Sequence, residues 1–403
     1  MEPLCVIADD LTGACDVGAA LLPWPESVLV DVGTGDPVRP PVPGLHVRNT
    51  QSRALPAPRA AKAVTSVLRT LPRPWKGILV KKIDTGLRGS LGAELDAAIE
   101  AVGAAEAFVL PAIPDTGRTT VGGIQRIDGV PVDQTAFATD PENPVRDARV
   151  GAAIEVTSRR RTGILELTHV RRGAVAAAVD RLRAEGTQVV VCDAETEQDL
   201  ERTLQVLAAR ARPLVLAGST GLAHALRRVL GAPAEGAAPG NRTPAPGKGG
   251  VLVVVGSAHP VARVQLARAE ALAWLRVIVV AKDADVSGAA TAAAAAIATG
   301  GNVALVTPNE RAKPGAVLPV AAAAEMALAA ALPAGLVLVG GETAFRTLVA
   351  MGVRWLAVDA APAPLCVRGH VASGARAGLA VVTKGGSSGP PERVADLIRE
   401  LTA

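Results

Sequence analysis

The sequence is poor in aromatic residues and contains no tyrosine. Only 2% of its 403 residues are aromatic, so the core has to be built from Val, Leu, Ile and Ala. Stacking of nucleic-acid bases on aromatic side chains is disfavoured by this composition. The net charge is +4, but basic and acidic residues are interspersed and form no basic stripe. We therefore expect no nucleic-acid partner, and the small positive excess suits small anionic substrates.

Cysteine is scarce, and its spacing excludes two kinds of site. The chain has no CxxC pair and no histidine at ligand spacing from a cysteine, which predicts neither a protein-built metal site nor a disulfide framework. We expect buried thiols. The four cysteines are Cys5, Cys15, Cys192 and Cys366.

Signals for export or membrane insertion are also missing. Asp9 and Asp10 interrupt the first apolar stretch, and no positively charged leader precedes it. The Ala-rich stretches Ala289–Ala298 and Val320–Ala331 fit helices of a soluble protein better than membrane spans. We expect a cytoplasmic protein with no membrane partner. The sequence leaves the oligomeric state open, with a homo-oligomer among the alternatives.

Two fingerprints of nucleotide-binding folds are absent. The P-loop pattern GxxxxGK[ST] does not occur, and no GxGxxG opens a helix after a strand. These absences count against a P-loop enzyme and against the usual dinucleotide-binding domain.

The length and the alternation of patterns predict two domains. A chain of 403 residues is too long for one typical core. The segment 233–249 is dense in Pro, Gly and Ala and indicates a linker between residues 1–232 and 250–403. In both parts strand-like runs alternate with helical patterns, which predicts two α/β domains with largely parallel sheets. The predicted strands are Leu4–Ala8, Val28–Val32, Ile78–Lys82, Ala107–Leu110, Gln188–Asp193, Pro213–Ala217, Val251–Val255, Val277–Val280, Val303–Thr307, Leu336–Val339 and Leu379–Thr383.

The first strand ends on two adjacent carboxylates. Asp9 and Asp10 follow an apolar run and precede a small-residue helix that begins near Thr12 and Gly13. One Asp is a common helix N-cap, and Asp10 is compatible with that role alone. The second charge needs water, a cation or a ligand, so the pair indicates a reactive site at the carboxyl end of a parallel strand.

A second polar cluster follows the strand at Ile78–Lys82. Lys82 and Asp84 stand at its end, and Arg88 lies on a Gly-flanked turn before a helix predicted over Leu91–Ile99. Arg binds carboxylates or phosphates through paired hydrogen bonds, and Asp accepts hydrogen bonds from hydroxyls. The cluster therefore predicts a binding site for a hydroxy acid. The alternative is a purely structural salt bridge between Asp84 and Arg88.

Two further segments carry candidate substrate-binding residues. Arg53 closes the polar stretch Asn49–Arg53, which follows a short strand. The segment Pro111–Gly123 contains Asp115 and Arg118 and has too many Gly and Pro for regular structure, which favours a functional loop.

A strand, a glycine turn and a helix recur three times, at Gly218-Ser219, Gly256-Ser257 and Gly340-Gly341. A glycine turn at a helix start can bind phosphate, although each copy alone is compatible with an ordinary tight turn. Two copies fall in the C-terminal part, where Ser257 and Thr343 supply hydroxyls. Near the end, Lys384 precedes Gly385, Gly386 and Gly389, which suits a polyphosphate.

In their order along the chain, these motifs resemble the four-carbon acid sugar kinases, which phosphorylate threonate, erythronate or 3-oxo-tetronate with ATP. The resemblance extends over nearly the whole chain. Two departures stand out: Gly86 and Gly385 replace hydroxyl residues of the family pattern. The segments that carry it are Ala8–Gly18, Thr50–Arg53, Lys82–Glu94, Pro111–Gly123, Thr139–Val145, Gly256-Ser257, Gly340–Thr343 and Lys384–Gly386.

The resemblance implies an N-terminal sugar-acid domain, a C-terminal ATP domain and an active site in the cleft between them. It implies nucleotide contacts at Ser257, Gly340, Gly341, Glu342, Thr343 and Gly386, with Lys384 alongside. For the mechanism we expect transfer of the γ-phosphoryl group of ATP, bridged by Mg²⁺, to the C4 hydroxyl.

In this mechanism Asp10, or else Asp9 or Asp84, accepts the hydroxyl proton, and Arg88, with Arg53 second, holds the carboxylate. The alternatives are an NAD-dependent oxidoreductase of a hydroxy acid and a non-catalytic sugar-acid sensor.

Overall fold

Many strands of the protein, such as Leu4–Ala8, Ala107–Leu110, Val251–Val255 and Gly335–Val339, are short, near-continuous runs of Val, Leu, Ile and Ala, as expected where both faces of a parallel sheet are covered by helices. The computed structural model describes residues 3–22, 27–33, 41, 43–140, 143–231, 249–271, 274–309 and 315–402. Except for Gly249, the predicted linker 233–249 lies outside the described residues.

The described elements are as follows. The strands are β1 (Leu4–Ala8), β2 (Val28–Asp31), β3 (Leu45–Asn49), β4 (Ile78–Lys82), β5 (Ala107–Leu110), β6 (Arg118–Val121), β7 (Ile124–Ile127), β8 (Val130–Pro131), β9 (Thr162–Leu165), β10 (Val189–Cys192), β11 (Leu214–Gly218), β12 (Val251–Val255), β13 (Leu275–Val279), β14 (Asn302–Val306), β15 (Gly335–Val339), β16 (Trp355–Ala363), β17 (Cys366–Val371) and β18 (Ala380–Lys384). The helices are α1 (Leu11–Leu21), α2 (Ala57–Leu68), α3 (Leu91–Val102), α4 (Val150–Glu155), α5 (Leu167–Arg171), α6 (Val175–Ala184), α7 (Glu197–Ala208), α8 (Thr220–Val229), α9 (Pro260–Ala271), α10 (Val286–Ala298), α11 (Leu318–Ala330), α12 (Gly341–Ala350) and α13 (Arg393–Thr402).

Contacts divide the chain into two units. The first comprises Met1–Pro25, Thr34–Arg39 and Leu45–Ala238, and the second comprises Glu26–Gly33, Pro40–Gly44 and Pro239–Ala403. The second unit is therefore discontinuous in sequence, because a short segment near the start of the chain belongs to it.

The first unit contains a parallel sheet in the order β3-β1-β4-β11-β5-β10-β9. Its apolar core packs residues of these strands against helices α2 and α3, with Val64, Leu95 and Val109 fully or almost fully buried. This arrangement confirms the predicted parallel α/β fold of the N-terminal part.

A small antiparallel sheet, β6-β7-β8, interrupts the first unit. Its β6 lies within Pro111–Gly123, for which the sequence predicted no regular structure, and that prediction was wrong. The turn residues Gly122 and Gly123 adopt positive φ angles of 61° and 70°, and both donate backbone hydrogen bonds to the Asp193 carboxylate. Glycine at these two positions therefore forms the β-turn of this sheet, which Asp193 holds from outside the segment.

In the second unit, strands β13-β14-β12-β15-β18 are parallel, and β17, β16 and β2 continue the sheet with antiparallel pairing. The sequence placed the strand near Val28 in the N-terminal part, but in the structure it pairs with β16. The Asp31 carboxylate forms an ion pair with Arg354 at 2.6 Å, and Leu29 packs against Trp355. Such partners lie too far apart in sequence for local patterns to reveal.

All four cysteines are buried and free, as predicted. The two Ala-rich stretches form α10 and α11. None of the helices in the described part of the chain combines the length and apolar character that crossing a bilayer requires.

Candidate functional site

The carboxyl ends of three adjacent parallel strands bring the first predicted site together. Ala8 of β1 lies in register with Asn49 of β3 and with Lys82 of β4. The residues that follow these strands therefore emerge at one edge of the sheet, where ligands bind in such folds. We call the charged side chains gathered there the first-unit cluster: Asp9, Asp10, Arg53, Asp84 and Arg88.

Arg53 joins both carboxylates of the Asp pair. Its Nε donates to Asp9 Oδ2 at 2.7 Å, and its Nη2 donates to Asp9 Oδ1 at 3.1 Å and to Asp10 Oδ1 at 2.6 Å. Burial alone would raise the pKa of Asp9, but the charges of Arg53, Lys81 and Lys82 outweigh it and hold that pKa below its ordinary value. The carboxylate of Asp9 is therefore ionised at neutral pH.

Asp10 has the capping role that the sequence allowed. It is the N-cap of α1, where its Oδ1 accepts from Gly13 N at 3.0 Å, and its Oδ2 accepts from Thr12 Oγ1 at 2.6 Å. It is also a partner of Arg53. Both of its oxygens accept hydrogen bonds within the protein.

Asp84 and Arg88 form the ion pair that the sequence analysis set out as the structural alternative. Arg88 Nε and Nη2 donate to the two Asp84 oxygens at 2.7 and 3.1 Å, and Nη1 donates to Asp140 Oδ2 at 3.0 Å. The guanidinium also lies 4.8 Å from the centre of the Phe137 ring. Burial opposes the charge of Asp84, yet Arg88 and Arg53 lower its pKa far below the usual range.

The two lysines at the end of β4 point in different directions, as successive strand residues do. Lys81 Nζ forms a buried ion pair with Glu94 at 2.6 Å. Lys82 is 5% exposed, and its Nζ donates to the Ile83 carbonyl at 2.7 Å. A side chain at Gly13 would lie 2.9 Å from this ammonium group, so glycine is needed for Lys82 to approach the first turn of α1.

Asp16 is a titratable group of this region that our sequence analysis did not single out. It lies on α1 four residues after Thr12 and is half-buried. Burial raises its pKa to about 7, with opposing effects from Lys82 and a further increase from Asp10. The available signal was its carboxylate within the Ala8–Gly18 motif, close in sequence to Asp9 and Asp10.

The two candidates in the Pro111–Gly123 segment, Asp115 and Arg118, differ in their exposure to solvent. Asp115 is exposed on a short 3-10 helix. Arg118 is half-buried at the start of β6, and its Nη1 donates to Thr116 Oγ1 at 3.0 Å. Burial lowers the pKa of Arg118, and the charges of Asp84, Asp128 and Asp16 act against that effect. Within the described residues, no carboxylate forms an ion pair with Arg118.

A second collection of candidates lies at the carboxyl ends of β12, β15 and β18. Val255 of β12 is in register with Val339 of β15, which in turn pairs with Lys384 of β18. The residues after these strands are therefore neighbours. We call Gly256, Ser257, Gly340, Thr343 and Gly386 the second-unit glycine cluster.

The members of this cluster touch one another. Thr343 Oγ1 accepts from Gly256 N at 3.1 Å, and Gly340 adopts a φ of 105°, which favours glycine. A Cβ on Gly386 would collide with the Ser257 hydroxyl. Gly340 caps α12 without a side-chain hydrogen bond, and Gly341 is its first residue, so the first amide groups of this helix have no capping side chain. Helix N-terminal amide groups beside close-packed glycines form a phosphate-binding arrangement.

The two charged candidates of the second unit lie at the start of α12: Glu342 is in its first turn, and the Lys384 carbonyl accepts from Gly340 N at 2.8 Å. Lys384 is fully buried, and its Nζ donates to the Gly385 carbonyl at 2.7 Å. Burial lowers the pKa of Lys384 to about 8. This hydrogen bond ties the buried Lys384 side chain to the backbone of the glycine turn that follows β18. Glu342 is exposed and pairs with Arg346 at 2.6 Å.

No protein-built metal centre is visible among the residues that the structure describes: none of their His, Cys, Asp and Glu side chains form a group of three or more that could hold an ion.

Two domain families match this chain. Residues 4–226 match the sugar-binding N-terminal domain family, and residues 252–393 match the nucleotide-binding C-terminal domain family. The first match contains the first-unit cluster, and the second contains the glycine cluster.

Several named proteins are similar to this chain in sequence. A D-threonate kinase from Bordetella bronchiseptica is 33% identical over 417 residues, which cover 98% of this chain and 97% of that protein. A D-threonate kinase from Salmonella typhimurium is 37% identical over 227 residues, and this match spans about half of each protein, 55% of this chain and 53% of the relative. Other relatives are named D-erythronate kinase and 3-oxo-tetronate kinase.

The fold is also shared with solved structures. A crystal structure from Salmonella typhimurium LT2 superposes with a TM-score of 0.79 at 24% identity and covers 98% of this chain and 99% of that one. From the two domain matches and the nearly full-length relative, we conclude that the chain belongs to the four-carbon acid sugar kinase family.

Proposed function

We propose that this protein is an ATP-dependent kinase that phosphorylates a terminal hydroxyl, on C4, of a four-carbon sugar acid. The observation that carries the proposal is the presence of two chemically different sites on two separate units. One is rich in carboxylates and cations, as suits a hydroxylated anion. The other presents helix amide groups and glycines, as suits phosphates.

D-threonate is the first substrate to test, because the relative that aligns over nearly the whole chain bears that name. D-erythronate and 3-oxo-tetronate are the alternatives. The oxidoreductase and sensor alternatives gain no support from these relatives. ATP consumption and four free cysteines fit a cytoplasmic setting.

In the proposed reaction, Asp10 accepts a hydrogen bond from the reacting hydroxyl, and Asp9 and Asp84 are the alternatives. Phosphoryl transfer depends mainly on positioning and on charge stabilisation, so an ionised carboxylate that orients the hydroxyl is sufficient. Mg²⁺ would arrive with ATP and be held chiefly by phosphate oxygens and water, as is usual for kinases.

An ADP-release assay with D-threonate, L-threonate, D-erythronate and 3-oxo-tetronate tests the function. We expect ADP formation that depends on one of these acids. If none of them stimulates ADP release above the rate with ATP alone, the proposal is wrong.

Asp10→Asn tests the proposed acceptor. Asn is as good an N-cap as Asp, so α1 should keep its cap while the carboxylate charge is lost. We expect turnover to fall about 10²- to 10⁴-fold, the usual contribution of a positioned acid or base, with ATP affinity kept. Unchanged turnover would assign the role to Asp9 or Asp84, whose Asn variants serve as the comparison.

A further inference from the structure

The sugar acid carries a carboxylate, and the two arginines first considered for it already hold carboxylates of the protein. Arg53 donates to Asp9 and Asp10, and Arg88 donates to Asp84 and Asp140. A third anion at either guanidinium would be repelled by the two that are already there.

Arg118 has a different environment. Among the residues that the structure describes, its side chain donates only to the Thr116 hydroxyl, and its buried Nε has no hydrogen-bond partner. A partly buried guanidinium that forms no ion pair is costly, and such a cation in a ligand-binding region is available to an anionic ligand. Its planar fork matches a carboxylate in a bidentate geometry.

Backbone contacts place Arg118 beside the carboxyl edge of the sheet. Its N and O exchange hydrogen bonds with Ile113 at 3.2 and 2.9 Å. Ala112, the residue before Ile113, packs tightly against the first turn of α8. A Cβ on Gly221 would collide with the Ala112 carbonyl oxygen. Arg118 is therefore held close to the N-terminus of α8.

The start of α8 is the copy of the repeated strand–glycine–helix motif that lies in the first unit. Ser219, its N-cap, is 2% exposed and makes no capping hydrogen bond. The Gly218 carbonyl accepts from Ile83 N at 2.9 Å, so this turn adjoins the end of β4, just before Asp84. The electrostatic coupling of Arg118 to Asp84 and Asp16 is consistent with this placement.

We propose that Arg118 binds the carboxylate of the sugar acid, assisted by the free amide groups at the start of α8, and thereby selects acids over uncharged polyols. The inference rests on the proposed kinase function. Arg53 and Arg88 hold the carboxylates that face the substrate's hydroxyl groups, and Arg118 faces its charged end.

The test measures the binding of D-threonate, D-threitol and ATP by calorimetry and the kinetics of ADP release, in the wild type and in Arg118→Ala. We expect the dissociation constant for D-threonate, or for whichever acid the wild type prefers, to rise about ten- to a hundredfold, as for a lost charge-assisted hydrogen bond. The dissociation constants for the uncharged D-threitol and for ATP should stay within about twofold of the wild type. In this proposal neither ligand forms a charged hydrogen bond with Arg118 that the variant would lose.

Two variants separate recognition from folding. Arg126→Ala removes an arginine of the same small sheet that bonds only to the backbone carbonyls of Val121 and Ile124, and it should leave acid binding unchanged. Arg118→Lys keeps the positive charge but loses the planar guanidinium that can donate two parallel hydrogen bonds. We expect this variant to bind the acid more tightly than Arg118→Ala and less tightly than the wild type.

The outcomes distinguish the two proposals. An active wild type whose acid affinity survives in Arg118→Ala and Arg118→Lys would overturn the role of Arg118 and leave the kinase function intact. Equal losses for D-threonate and D-threitol would also overturn it, because they would indicate a structural defect. A wild type that neither binds nor phosphorylates any of the acids would overturn both.

Discussion

At the scale of single residues, the first-unit cluster is a set of ion pairs in which each member neutralises another. The side chains of Arg88 and Asp84 are 23% and 10% exposed, so neither is fully compensated by water. Loss of one member therefore leaves a poorly solvated charge behind.

We predict that Arg88→Ala destabilises the protein by about 3 kcal/mol, the cost of breaking a buried ion pair on one side. Unfolding by urea with circular dichroism measures this. The control is Arg149→Ala, which breaks an exposed pair with Asp147 in which the arginine is 70% exposed, and which should change stability little. Equal losses in the two variants would show that burial of the pair is unimportant.

The raised pKa of Asp16 gives stability a specific pH dependence. Its pKa is about 7 in the folded protein against an ordinary 3.8, so the folded state binds the proton that the unfolded state has released between these values. Stability therefore falls as the pH rises from about 4 to about 7, by at most about 4 kcal/mol at about 1.36 kcal/mol for each pH unit.

We predict that Asp16→Asn removes this decline. The variant should be more stable than the wild type at pH 8, and the difference should shrink at pH 5, as measured by urea unfolding at both values. Parallel changes of stability with pH in the two proteins would contradict the assignment of the raised pKa to Asp16.

Residue types in the sequence indicated where charge would gather but not how it would pair. Asp9, Asp10, Arg53, Asp84 and Arg88 were all selected from local motifs, and the structure brings them together because three parallel strands end side by side. Which carboxylate each arginine binds depends on side-chain directions across different strands, and Arg88 pairs with Asp140, 52 residues away.

At the scale of elements, the glycine turn after β18 packs closely against the residues that follow β12. Gly386 packs against Ser257, and a side chain there would displace that hydroxyl. Overpacking of this kind costs about 1–3 kcal/mol.

We predict that Gly386→Ala weakens ATP binding about tenfold or more, as expected from that cost, while sugar-acid binding is unchanged. Calorimetric titration with ATP and with D-threonate measures both. Gly288→Ala is the matched control: it lies in α10 with no atom within 4 Å of the new Cβ, and it should leave ATP binding unchanged and stabilise the helix slightly. Normal ATP affinity in Gly386→Ala would remove this turn from the nucleotide site.

Elements that are buried on both faces were predictable, and irregular ones were not. The runs that became β1, β5 and β12 are continuous apolar stretches, β4 is apolar up to Lys81, and the bounds of all four were predicted to the residue. The hairpin β16–β17 escaped prediction because Pro362 and Gly369 weaken its strand pattern. The strand β6 was missed because its formation depends on the turn held by the distant Asp193.

At the scale of the whole molecule, the second unit needs a strand from near the start of the chain. Without β2, strand β16 would present an open edge, with Trp355 and Ala357 deprived of Leu29. Exposed edges of this kind pair with other chains.

We predict that a fragment of residues 249–403 self-associates and melts at a lower temperature than the second unit in the intact protein. A synthetic peptide of residues 27–33 should raise its melting temperature in a concentration-dependent way, as a bound partner does. A scrambled peptide is the control, and a peptide with Asp31→Ala should act more weakly because it cannot pair with Arg354. A monomeric fragment indifferent to the peptide would contradict the prediction.

The same strand sets an order of events during translation. Asp31 and its partner Arg354 are separated by 323 positions, so at the usual pace of synthesis the ribosome needs roughly 15 to 65 seconds to make the second after the first. Throughout that interval β2 has to remain unpaired with β16 while the first unit folds. A gene split at the apparent linker would encode β2 on the other polypeptide, so the second unit can be completed only when both halves are translated as one chain.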